Sequence, residues 1–129
     1  MPGTPVNEPF QRSPRSWWQK FAAAARGLRQ GTQGQSSFLV HLPAAIAVLG
    51  LAAFLTLPLA HWCLLLLCIG TVLAAELFNS SLERLARSIT DQVNTDIEAA
   101  LNIASAAVLT LAITAALVGG AIFLHAFWA

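Results

Sequence analysis

The chain has 129 residues, of which 57% are hydrophobic and 10% charged, with a mean hydropathy of +0.66, whereas soluble domains carry about 25% charged residues. No Asp, Glu, Lys or Arg occurs in 30–75 or in 99–129, and blocks of that length are enough to cross a hydrocarbon layer about 30 Å thick. The net charge of +1 gives no reason to invoke nucleic acid, and Cys63 and Cys68 lack zinc-type spacing and partner ligands, so they read as packing residues.

Residues 1–13 are rich in proline and polar side chains and read as a disordered tail. An amphipathic surface helix is expected over 14–30, with Ser13 as its cap, Pro14 in its first turn and Gly31 at its end. Its large apolar residues Trp17, Trp18, Phe21 and Leu28 are interleaved with Arg15, Lys20, Arg26 and Arg29, a composition suited to an anionic membrane surface. A cleaved signal peptide is disfavoured, because the apolar stretch that follows is too long and has no small-residue cleavage site.

Three spanning helices then complete an all-α integral membrane domain over 31–129. The first is expected at about 37–57, with Pro43 beginning or kinking it. A turn at Leu57-Pro58-Leu59 leads to a second span at about 60–87, with Trp62 as an interfacial anchor. A polar connection leads to the third, at about 96–128. All seven basic residues lie in 12–29 and 84–87. The positive-inside rule therefore places the surface helix and the 84–98 connection in the cytoplasm, and the hairpin at Pro58 on the far side.

The second span carries an unusual polar stripe: Glu76, Asn79, Ser80 and Glu83 recur at helical spacing on one face. A charge in hydrocarbon costs about 2.5–3.5 kcal/mol even on lenient scales, so such residues face a protein interior and mark function. From Ala60 to Glu76 the helix rises roughly 24 Å, which puts Glu76 near the cytoplasmic edge of the hydrocarbon and Glu83 at or beyond the interface. A site there reaches a lipid head group from one side and a water-soluble molecule from the other.

A buried carboxylate can act as general base toward a hydroxyl, and a second carboxylate at the water's edge can hold Mg²⁺. Phosphoryl transfer needs little beyond positioning, metal and charge neutralisation. Arg26, Arg29, Arg84 and Arg87 lie on the side where phosphates would arrive. There is no Walker A or protein-kinase signature. The competing structural reading is that Asn, Ser and Glu join helices in an oligomer.

Glu76-Leu77-Phe78-Asn79-Ser80-Ser81-Leu82-Glu83 resembles the E-x-x-N-S-x-x-E segment of the prokaryotic diacylglycerol kinases and the related undecaprenol kinases. Gly27-Leu28-Arg29, Phe38…His41 and Ala104-Ser105-Ala106-Ala107-Val108 flank it at the family's distances, so the resemblance covers roughly 26–124. It implies a homotrimer with active sites shared between neighbouring protomers, and transfer of the ATP γ-phosphate to the hydroxyl of a membrane lipid such as diacylglycerol or undecaprenol. It implies Glu76 as general base, Glu83 as a Mg²⁺ ligand, and Asn79, Gln35, Asn102 and Arg29 as nucleotide-site residues. It also implies a bacterial inner-membrane location with a cytoplasmic N-terminus. His41 matches a family position, although the simpler reading of a lone histidine near a helix end is an interfacial residue.

The chain departs from the family pattern at three places. Gln35 stands where the family has a second acidic metal ligand, Leu101-Asn102 where it has Lys-Asp, and Arg87 where Asp is common. Gln and Asn keep the oxygen of a carboxylate without its charge, and Leu101 supplies no ammonium for phosphates. Arg84 or Arg87 is then the candidate replacement cation. Two functions follow from these residues: an active lipid kinase resting on Glu76, Asn79 and Glu83, or a lipid- or nucleotide-binding membrane protein that has lost the chemistry. A small oligomeric pore is a third possibility.

Overall fold

The computed structural model describes Pro9 and residues 11–129; most of the expected tail lies outside them. The described residues contain four helices and no strand: α1 (Trp17–Thr32), α2 (Ser36–Phe54), α3 (Leu59–Ile89) and α4 (Thr95–Trp128). The last three are long and apolar enough to cross a membrane.

α1 begins later than the sequence suggested. Its cap is Ser16, not Ser13. The Ser16 hydroxyl accepts from Gln19 N–H, and the Ser16 N–H donates to the Gln19 side chain. This reciprocal box satisfies two otherwise free helix-start groups, whereas Ser13 has no such partner three residues on. The helix also runs one residue past Gly31, to Thr32. Trp17, Phe21 and Leu28 share one side by their spacing, and no residue of α1 is buried. Such a helix gains little from this chain's own core, and its exposed aromatic face fits a bilayer surface. Gly34, at φ 74°, turns the chain into α2, a left-handed conformation that glycine adopts without steric penalty.

Pro43 lies inside α2 and gives no N–H to the carbonyl four residues back. The helix continues to Phe54, and the 55–58 connection reverses the chain through Thr56 at φ 49°. Pro58 is the N-cap of α3. At 31 residues, α3 extends about 46 Å, longer than the hydrocarbon layer, so one end projects from it. Asn94 caps α4 by accepting from the N–H groups of Asp96 and Ile97.

α3 and α4 form the most extensive helix pair, with α2 against α3 and α1 touching the far end of α3. A small core lies toward the 55–58 turn: Ala52, Leu57, Leu65 and Ile122, with Val48, Trp62 and Phe123 packed around them. Leu65 packs beside Gly119 of α4. Elsewhere the helices expose Leu39, Ile46, Phe54, Leu67, Ile113 and Leu117. Apolar surface on this scale is unsustainable in water and is normal against lipid or neighbouring chains.

Candidate functional site

The buried face of α3 changes character along its length. Near the 55–58 turn it is Leu65 and Val72; toward α1 it becomes Glu76, Asn79 and Ser80. Helical periodicity places these on one side; His41 of α2 meets Glu76, and Ser80 lies beside α1. Glu76 is 3% exposed, Asn79 8% and Ser80 1%. They are the buried polar side chains of the described residues.

Glu76 meets His41 of α2, with Nε2 3.0 Å from Oε1. The histidine is a quarter exposed and forms one end of an otherwise apolar cavity of about 300 Å³ between α2, α3 and α4, walled by Ala45, Val72, Ala112 and Ala116 among others. A buried carboxylate is tolerable only with a hydrogen-bonding or charged partner, and His41 is that partner. The sequence leaves His41 between a family-matched position in the site and a simpler interfacial role, and does not place it among the site residues. The available signal was its match to the Phe38…His41 block; the pairing itself depends on the register of two separate helices.

One turn beyond Asn79, Glu83 gathers a second group. Its Oε1 accepts from Asn79 Nδ2 at 2.9 Å, and its Oε2 accepts from Gln35 Nε2 at 3.2 Å. Arg87 Nη1 stands 3.9 Å from Oε2, a loose contact on an exposed side chain. Asn79 Oδ1 is buried and has no partner. The site thus has two tiers: His41–Glu76 against the apolar cavity, and Gln35–Asn79–Glu83 one to two turns nearer α1.

Of the residues read from the sequence, Glu76, Asn79, Glu83 and Gln35 are brought together within one chain. Arg29 and Asn102 are exposed and are not drawn into this cluster. The bonds of Arg29 run through its carbonyl, which accepts from Gln33 N–H and the Thr32 hydroxyl. Leu101, next to Asn102, instead lines a cavity of about 350 Å³ with Glu83, Arg87 and Thr90. Arg84 is committed elsewhere, since its Nη2 donates to the Gln30 carbonyl at 2.6 Å and ties α1 to α3. That leaves Arg87 as the arginine beside Glu83. No group of three or more His, Cys, Asp or Glu placed to hold a metal occurs among the described residues.

A family model described as prokaryotic diacylglycerol kinase matches residues 22–123. The chain belongs to the prokaryotic diacylglycerol kinase family. The match to this family of membrane lipid kinases covers the second part of α1, all of α2 and α3 and most of α4, and membership makes the chain an integral membrane protein. An undecaprenol kinase from Bacillus subtilis (strain 168) is 31% identical over 108 residues, covering 84% of this chain and 88% of that relative. No solved structure gives a significant match.

Proposed function

We propose that this chain transfers the γ-phosphate of ATP to the hydroxyl of a membrane lipid alcohol, in a Mg²⁺-dependent reaction. Undecaprenol and diacylglycerol are the two substrates that its relatives indicate. The observation that carries this reading is Glu76, a buried carboxylate paired with His41, whose ring lines an apolar cavity. A lipid hydroxyl that follows that cavity to His41 arrives beside Glu76.

Glu76 takes the proton from that hydroxyl as general base. The lipid oxygen forms its bond to the γ-phosphorus as the bond to the departing ADP oxygen breaks, and the proton remains on the carboxyl. Glu83, Asn79 and Gln35 are the residues that would hold Mg²⁺. Their side-chain oxygens are hard ligands of the kind it prefers. Asn79 Oδ1 is a buried acceptor without a donor, and turning either amide over presents oxygen in place of nitrogen. Bound there, Mg²⁺ would neutralise phosphate charge.

Arg29 and Asn102 are proposed to act on the nucleotide from a neighbouring copy in a trimer. Their exposure and the broad apolar surface of α4 support that arrangement. The distribution of basic residues supports placing α1 and the 90–94 connection on the cytoplasmic side of a bacterial inner membrane.

A second reading has its own support. Glu83 is the carboxylate of its tier, with Gln35 neutral beside it, and Leu101 walls the adjacent cavity with hydrocarbon. A protein that keeps the fold and binds lipid or nucleotide without reacting would show this depletion of charge. The deciding experiment is ATP- and Mg²⁺-dependent phosphate transfer in mixed micelles, with both lipids side by side and Glu76→Gln as control. Transfer that disappears in the control supports the kinase. Nucleotide binding with no transfer to either lipid supports the second reading.

A further inference from the structure

We infer that His41 is a positioning residue for the reaction, holding the Glu76 carboxylate in the orientation from which it meets the lipid hydroxyl. The inference rests on the kinase reading above. Its ground is the isolation of Glu76. Asn79 and Gln35 spend their amide N–H groups on Glu83, and Ser80 Oγ is buried without a partner. What remains for Glu76 is the Nε2 of His41 at 3.0 Å, and His41 lines the apolar cavity.

His41 therefore does two things at once. Its Nε2–H donates to Oε1, which fixes the plane of the carboxylate. With Oε1 occupied, Oε2 is the oxygen left for the substrate. Its ring also forms part of the cavity wall, so the same side chain borders the path along which a lipid hydroxyl approaches. His61 and His125, whose rings meet edge to face 6.4 Å apart, lie at the opposite ends of α3 and α4 and cannot substitute.

The test is a series at one position. His41→Gln keeps an N–H donor at similar reach, and His41→Leu removes it while filling the space. In His41→Leu, kcat for lipid phosphorylation should fall about 10²-fold, the scale of a misplaced catalytic group. The KM values for lipid and ATP should stay within about threefold, since ground-state binding is untouched. His41→Gln should recover most of the loss. In a Glu76→Gln background, His41→Leu should have no further effect. A folded His41→Leu protein with wild-type kcat, or a loss confined to KM, would overturn the inference.

A second readout needs no turnover. Only three histidines occur in the sequence, so the imidazole ¹⁵N signals of the full chain in micelles can be assigned by substitution. The His41 signals should move in Glu76→Gln and remain in place in Glu83→Gln. Unmoved His41 signals in Glu76→Gln would overturn the pairing even if the protein proved inactive. Absence of transfer by the wild-type protein would count against the kinase reading and leave this second result to decide the pairing.

Discussion

Gln35 and Glu83, 48 positions apart, are joined by a 3.2 Å hydrogen bond from Nε2 to Oε2. The residue that opens α2 is thereby tied to the polar end of α3, and an amide occupies the place beside Glu83 where a carboxylate would add charge to the proposed Mg²⁺ site. Gln35→Glu should lower the Mg²⁺ concentration for half-maximal activity by about 10-fold, because ligand charge tunes affinity for a hard cation. The same variant should melt at a lower temperature than wild type in EDTA, where two carboxylates repel, and recover when Mg²⁺ is added. Mg²⁺ titration of activity and melting curves with and without chelator check both halves.

Glu76→Gln should remove transfer by 10²-fold or more, the typical range for a general base being about 10²–10⁴. The amide retains the shape of the carboxyl and an oxygen for His41, so the melting temperature should hold or rise as a buried charge is removed. Phosphate transfer and thermal unfolding on the same preparation make the comparison. Retained activity would move the base elsewhere.

Leu101→Lys with Asn102→Asp places an ammonium on the wall of the cavity beside Glu83. A charged donor aimed at developing phosphate charge is worth about 10²–10³ in rate, so kcat should increase by about 10²-fold. An inactive wild type that becomes active in this variant would support the binding-protein reading of the natural chain. No change in a folded variant would show that the missing lysine is not what limits turnover.

Arg84→Ala should loosen α1 without disturbing the Glu76 tier. The lost bond to the Gln30 carbonyl is a charged hydrogen bond at an exposed position, worth about 1 kcal/mol. Backbone amides of α1 should exchange several-fold faster with solvent in micelles, while those around Val72 and Glu76 keep their protection. Hydrogen exchange by mass spectrometry reads both regions together. Equal exchange in α1 would mean that the membrane surface, not Arg84, holds that helix.

The membrane class and the Glu76–Asn79–Glu83 stripe were legible in the sequence because each depends on local regularities. Long uncharged blocks force helices into lipid, where backbone groups must be satisfied within the segment, and the 3.6-residue period puts positions 76, 79 and 83 on one face. The start of α1 was less legible. Ser13-Pro14 reads as the opening in the sequence, and the reciprocal bonds of Ser16 and Gln19 place it three residues later.

Tertiary structure decided which partners these groups have. Nothing in a one-dimensional pattern states that α2 lies on α3 in the register that sets His41 3.0 Å from Glu76 and Gln35 against Glu83. The same packing removed Arg84 from the candidate phosphate-binding residues by engaging it with Gln30, and it left Arg29 and Asn102 exposed, outside the cluster of a single chain. Periodicity determines which face of a helix is polar. The partner that neutralises a buried group is chosen by packing between helices distant in sequence, because the high cost of an unpaired charge is met by whichever donor the fold brings within hydrogen-bond reach.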